Sequence, residues 1–180
     1  MSPHPRASGA IHCLRADLAD PIHARAVVEL ISAYALDPMG GGKALPPTVR
    51  DKLADELRKR PTVHVLLAFV EQDAVGVAVC IEGFSTFACK PLLNLHDIAV
   101  LPEARGRGVG RALLGEVERL AREMGCCKIT LEVLSNNKVA QSAYRAAGFA
   151  QYELDPAAGQ AMFWQKQLPG ASAVPQAQAI

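Results

Sequence analysis

Hydrophobic and polar positions repeat with two periods along this chain, and each change of period marks an element. Ile11 to Leu14 reads as a short first strand. Asp20 then offers an N-cap with Pro21 at the first helical position, and Val27, Leu30, Ile31 and Tyr34 recur at the spacing of a buried helical face. Asp37-Pro38-Met39-Gly40-Gly41-Gly42-Lys43 breaks that helix. A second helix is predicted from Pro47-Thr48, with Val49, Leu53 and Leu57 on one face; it ends at Arg58-Lys59-Arg60 before Pro61, where the basic trio meets the negative end of the helix dipole.

Val63 to Val70 and Val75 to Ile81 read as two strands joined by the polar turn Glu71-Gln72-Asp73-Ala74, an antiparallel hairpin. After a loop from Phe84 to Pro91, Leu92 to Val100 is apolar almost throughout, as expected of a strand covered on both faces. From Val109 to Met124 the period turns helical, with Leu113, Val117, Leu120, Ala121 and Met124 inward, Glu118 and Arg122 paired one turn apart outside, and Gly125 as the stop. Cys127 to Leu134 is a predicted strand, and Ser135-Asn136-Asn137 supplies capping residues for a short helix ending at Gly148. Ala150 to Glu153 and Ala161 to Gln167 read as a last hairpin around Asp155-Pro156; its neighbours Phe163 and Trp164 face opposite ways, leaving one near an exposed or subunit surface.

At 180 residues, half of them apolar and 5% aromatic, the chain fits one domain with an aliphatic core, expected over residues 11–168 between disordered tails at 1–10 and 169–180. A net charge of +1 carries no nucleic-acid or membrane footprint. No apolar run is long enough to span a bilayer, and Met1-Ser2-Pro3-His4-Pro5-Arg6 has no hydrophobic region after it of signal-peptide type, so a cytoplasmic location is expected. Cys13, Cys80, Cys89, Cys126 and Cys127 form no C-x-x-C pair, and reduced thiols with no metal site are expected.

The segment with most chemistry is Arg105-Gly106-Arg107-Gly108-Val109-Gly110, between the strand ending at Val100 and the helix that follows. Glycines there let backbone approach a ligand closely, the helix start offers unpaired N–H groups and a positive dipole end, and Arg105, Arg107 and Arg111 add full charges. A diphosphate is the natural guest. Gly40-Gly41-Gly42-Lys43 lacks the Ser or Thr of a P-loop. The dinucleotide fingerprint G-x-G-x-x-G does not fit glycines at 106, 108 and 110 either, even with Glu132 near the place of a ribose-binding acid.

Arg105 to Gly110 does match Arg/Gln-x-x-Gly-x-Gly/Ala after a strand, and Asn137 to Phe149 adds a second segment with Tyr144 and a Gly-Phe ending. Over Leu93 to Phe149 the chain resembles the GCN5-related N-acetyltransferases, the GNAT family. The resemblance implies a mixed, mainly antiparallel sheet of six to seven strands with helices on both faces. It also implies an enzyme that moves an acetyl group directly from acetyl-CoA to an amine, with a small-molecule acceptor favoured over a protein N-terminus or lysine, or over a module that senses acetyl-CoA without turnover.

By that likeness Ile98, Ala99 and Val100 would pair with the pantetheine arm beside a splayed gap, the Val100 N–H would polarise the thioester carbonyl, and residues 105–111 would hold the diphosphate. Asn137 would bond the arm and Tyr144 would protonate the departing thiolate. Where the family often has a glutamate as base, this chain has His96-Asp97, with Glu82 in reserve; adjacent strand residues share a pocket only if a bulge intervenes. The glycine run at 40–42 would be a mobile lid over the acceptor pocket or an idle loop, and a homodimer through the C-terminal strands is a further expectation of the family.

Overall fold

A computed structural model describes residues 9–152, 162–166 and 168. Its centre is one sheet in the order β1 (Ile11–Arg15), β2 (Val63–Val70), β3 (Asp73–Ser85), β4 (Lys90–Val100), β5 (Ile129–Leu131). The first four strands are antiparallel neighbours and β5 runs parallel to β4, so the sheet is mixed and mainly antiparallel, with five strands among the described residues rather than six to seven.

Both faces are covered, which explains why the strands read as apolar runs. On one face α1 (Pro21–Leu36) lays Ala26, Val27 and Leu30 on Val65, Leu67, Val77 and Val79. On the other, α4 (Val109–Glu123) lays Val109, Leu113, Val117 and Leu120 on Leu66, Ala68, Ala78, Cys80, Leu93 and Leu95. Each such valine or leucine contributes about 1.5–3 kcal/mol by leaving water. The predicted cap of α1 is present: the Asp20 carboxylate accepts from the Ile22 N–H at 2.8 Å, with Pro21 next.

Several expectations need correction. The helix expected from Pro47 to Arg60 is two pieces, α2 (Pro47–Arg50) and α3 (Leu53–Arg58): neither fully buries a residue, and between them the Lys52 N–H reaches back only three residues, to Val49 O at 3.2 Å, a tighter turn than the helix on either side. Only Leu57 of its three apolar positions packs against the α1-side core. The hairpin turn shortens to Glu71-Gln72, and much of the loop expected at Phe84 to Pro91 is ladder, with Phe84 opposite Pro91 and Ser85 opposite Lys90.

The strand expected over Cys127 to Leu134 contracts to Ile129–Leu131, since pairing with β4 begins where the Cys127 N–H reaches Pro91 O at 2.8 Å and stops at Leu131. Residues 150–152 and 162–166 are irregular, so these parts of the expected last hairpin are not strands. The rest of that hairpin, at 153–161 and Gln167, and most of the two expected tails lie outside the described residues. The short helix α5 (Lys138–Ala146) forms as expected, with Gly148 beyond it at φ +88°.

Candidate functional site

The site begins with one extra residue. Along β3 and β4, Val79 lies opposite Asp97 and Cys80 opposite Leu95, so His96 is inserted as a bulge. The insertion shifts the alternation: Leu93 and Leu95 enter the α4-side core, and after the bulge Ile98 and Val100 do so. Asp97 shares its sheet face with Val79 and thus turns toward α1, where its charge pushes the Tyr34 phenol upward, after the larger effect of burial. Burial raises the Asp97 carboxyl itself, while the neighbouring His96 pulls it down.

Beyond Leu95 and Leu131 the strands β4 and β5 no longer pair. The Leu101 N–H bonds Val75 O at 2.9 Å, on the β3 side. Backbone groups alternate in an antiparallel ladder, so Leu101 and Ala99 point theirs at β3, while those of Ile98 and Val100 point to the edge that β5 has left. Of the three residues expected to meet a pantetheine arm, two therefore offer main-chain groups and Ala99 does not.

The glycine turn lies at the end of this open edge. Gly106 and Gly108 take φ of +73° and +91°, values that favour glycine, whereas Gly110 is already helical. Gly108 is the N-cap residue of α4 and carries no capping side chain, so the first-turn N–H groups of Val109, Gly110 and Arg111 have no carbonyl partner among the described residues. A Cβ on Gly108 would touch only Ile11, at 3.7 Å, and one on Gly110 only Val100, at 3.9 Å, so space remains above the turn. Val109 is buried beneath it and Arg107 and Arg111 are exposed.

Arg105 is differently engaged: its Nε donates to Val100 O at 2.9 Å and its Nη2 to the Asp37 carboxylate at 2.7 Å. That contact holds the Asp37 carboxyl below its usual range. The glycine run is not a loose lid. The N–H groups of Gly40 and Gly42 bond Asp37 O, Lys43 N–H bonds Ala35 O, and Gly40 is buried against Tyr34. Asp37 and Pro38, with Leu30, Tyr34, Ala99, Val100 and Arg105, line a cleft of about 290 Å³.

From the far side comes Tyr144 on α5. It packs edge-on to Phe149, with ring centroids 5.9 Å apart, and against the α4-side core. Burial pushes its phenol up to about 12, with Tyr34 adding to the shift. Tyr34, read from the sequence only as part of a buried helix face, thus lies in the field of both Asp97 and Tyr144; nothing in its helical spacing distinguished it.

Asn137 caps α5, its side-chain oxygen accepting from the Ala140 N–H at 3.1 Å, which leaves its amide nitrogen for other partners. Asn94 reaches Thr130 at 3.1 Å and Glu132 at 3.4 Å, joining β4 to β5 on the α1 face and placing Glu132 on the Asp97 side of the sheet. Glu82 is elsewhere. It stands opposite Leu93, where the sheet is closed, with its carboxylate 3.7 Å from His64. Among the described residues no cluster of His, Cys, Asp and Glu could hold a metal ion, and no helix is long and apolar enough to cross a membrane.

Comparison with known proteins agrees with this geometry. The chain is 40% identical over 87 residues to the streptothricin acetyltransferase of Streptomyces lavendulae, covering 47% of this chain and 46% of that protein. It is 32% identical over 103 residues to the thialysine N-epsilon-acetyltransferase of Bos taurus, covering 53% and 60%. The chain thus spans about half the length of these relatives. Among solved structures, an aminoglycoside N-acetyltransferase in complex with CoA superposes with a TM-score of 0.68 at 21% identity, over 92% of this chain and all of that one, a likeness of fold. The sequence model of the acetyltransferase (GNAT) family matches residues 28–149, which include the bulged strand, the glycine turn and the Tyr144 helix, and the chain belongs to that family.

Proposed function

We propose that this protein transfers an acetyl group from acetyl-CoA to the amine of a small molecule. The observation that carries the reading is the alignment of three features: the open β4 edge at Ile98 and Val100, the unpartnered N–H groups at the start of α4 just beyond it, and the Tyr144 phenol. An extended arm with amides at one end and a diphosphate at the other matches the first two. Gly106 to Arg111 would take the diphosphate, with Arg107 and Arg111 as its full charges. The amide nitrogen of Asn137 would bond the arm.

In the reaction the amine nitrogen attacks the thioester carbonyl carbon, a tetrahedral oxyanion forms, and the carbon–sulfur bond then breaks. The Val100 N–H, fixed in the sheet and pointed at the open edge, would stabilise the oxyanion without reorganising. The ammonium must first lose a proton. Asp97, raised by burial, is the better matched acceptor, with His96 beside it; Glu82 faces the wrong side of the sheet for this role. Tyr144 stays protonated far above neutral pH and so can give its proton to the departing thiolate, and its phenolate is made good by the second proton that the attacking nitrogen sheds as the amide forms.

The two named relatives carry small-molecule acceptors in their names, which supports a small amine here. Asp97 and Glu132 on the α1 face give that side the negative charge an ammonium seeks. A homodimer belongs to the same proposal, with Phe163 or Trp164, 61% and 80% exposed, contributing to its contact. Incubating the protein with acetyl-CoA and a panel of primary amines should release thiol with at least one of them; CoA binding with no release on any acceptor would mean a sensor instead.

A further inference from the structure

Arg105 opens the glycine turn, yet its guanidinium is spent on protein rather than held over the turn. Resting on the acetyltransferase reading above, we propose that Arg105 is a positioning residue. It straps the acceptor-side loop to the end of β4 and does not serve as a phosphate ligand.

Asp37 is the hub on one side. Its N–H bonds Tyr34 O at 2.9 Å, its carbonyl accepts from Gly40 and Gly42 at 2.8 and 3.0 Å, and one carboxylate oxygen accepts from Met39 N–H at 2.8 Å. Only the second oxygen leaves this turn, and it meets Arg105. On the other side is the Val100 carbonyl, one of the main-chain groups directed at the open edge. The guanidinium bridges the two with parallel donors in a fixed fork, a geometry lysine cannot reproduce.

The Asp37 side chain is 17% exposed and that of Arg105 is 53% exposed, so a solvent-side guanidinium reaches in to a sheltered carboxylate, and the second bond, to Val100 O, is what fixes its direction. Both partners line the 290 Å³ cleft with Tyr34, so the strap forms part of its wall. With its carbonyl taken by Arg105, Val100 has its N–H left to face the edge that β5 has left. The strap therefore holds the acceptor wall and the oxyanion donor in one rigid unit.

The test uses Asp37→Asn, which keeps the acceptor for Met39 but removes the charge, Arg105→Met, and the double variant. Hydrogen exchange of the Gly40, Gly42 and Lys43 amides should rise about threefold in each single variant, as expected for a charged hydrogen bond with one sheltered partner, and no further in the double variant. CoA affinity by calorimetry should hold within about twofold, since no phosphate contact is lost. With the first amine turned over in the panel, KM for the amine should rise while KM for acetyl-CoA stays put, a split that general loosening would not produce.

A CoA affinity that falls tenfold or more in Arg105→Met, with exchange unmoved in Asp37→Asn, would make Arg105 a phosphate ligand and overturn the strap. Exchange is read without coenzyme. Wild-type protein that binds no CoA would therefore sink the functional reading while leaving the strap to be judged by its own measurement.

Discussion

Leu95 and Ile98, three residues apart on one strand, enter the same side of the sheet. An unbroken strand would have sent them to opposite faces. The extra residue between them, His96, turns Asp97 toward α1 and starts the stretch of β4 whose edge is free. Position along the sheet thus separates the buried half of β4 from the half that can meet ligands.

The pair His96-Asp97 predicts a particular pH behaviour. His96 favours the ionised form of Asp97, so removing the imidazole lets burial raise the carboxyl further. If Asp97 takes the proton, His96→Ala should move the acidic limb of kcat/KM to higher pH, and Asp97→Asn should cost about 10²-fold or more. A limb abolished by His96→Ala, with Asp97→Asn nearly active, would give the role to the imidazole. The measurement is initial rate across pH 5 to 9.

Tyr144→Phe should lower kcat by about 10²- to 10⁴-fold, the usual yield of general acid catalysis, while CoA affinity changes little. Because the phenol lies near 12, its ionisation should set no alkaline limb below about pH 10 in the wild type. Equal losses in turnover and coenzyme binding would show that the ring serves only the packing with Phe149.

The two glycines of the turn should part company. Gly108 has φ of +91° with room for a Cβ, so Gly108→Ala costs conformation alone, about 1–2 kcal/mol. At roughly 2–4 °C per kcal/mol the melting temperature should fall by several degrees. Gly110 is helical and uncrowded, so Gly110→Ala should raise stability by up to about 1 kcal/mol without loss of CoA binding. Gly108→Glu, which sets a carboxylate where the diphosphate is proposed, should abolish binding; unchanged affinity by calorimetry would refute that placement.

His64 predicts how stability follows pH. It is 6% exposed, and Arg15 donates to its Nδ1 at 2.7 Å, which fixes the proton on Nε2, a buried atom without a hydrogen-bond partner among the described residues. Burial first, then Arg15, lowers its pKa from 6.5, with Glu82 opposing. A lowered folded-state pKa means that the unfolded chain binds the proton first as pH falls. Stability should therefore hold above about pH 6.5 and decline below it. Urea midpoints between pH 8 and 5 should show this, and His64→Gln should flatten the slope by one group's share.

The sequence by itself determined β1, β2, the cores of β3 and β4, α4, α1 and α5 with their side-chain caps, and the strand, glycine turn and helix around Gly108. All of these are set by local period, by residues with special backbone freedom, and by side chains that cap their own helix. It also supplied Tyr144 and Asn137, two turns apart on α5. Only the tertiary structure decided the bulge at His96: the adjacent polar pair His96-Asp97 breaks the alternation of Leu93-Asn94-Leu95, but an inserted residue and a strand with a polar group on each face read alike in sequence. The same holds for the extent of the open edge, which depends on where β5 parts from β4 and not on the strand propensity of residues 127–134. The engagement of Arg105 with Asp37, 68 residues away, and the meeting of Tyr34 with Asp97 and Tyr144 arise only once the core has brought α1 against β4, since no local pattern records which partner a charged or phenolic group will find.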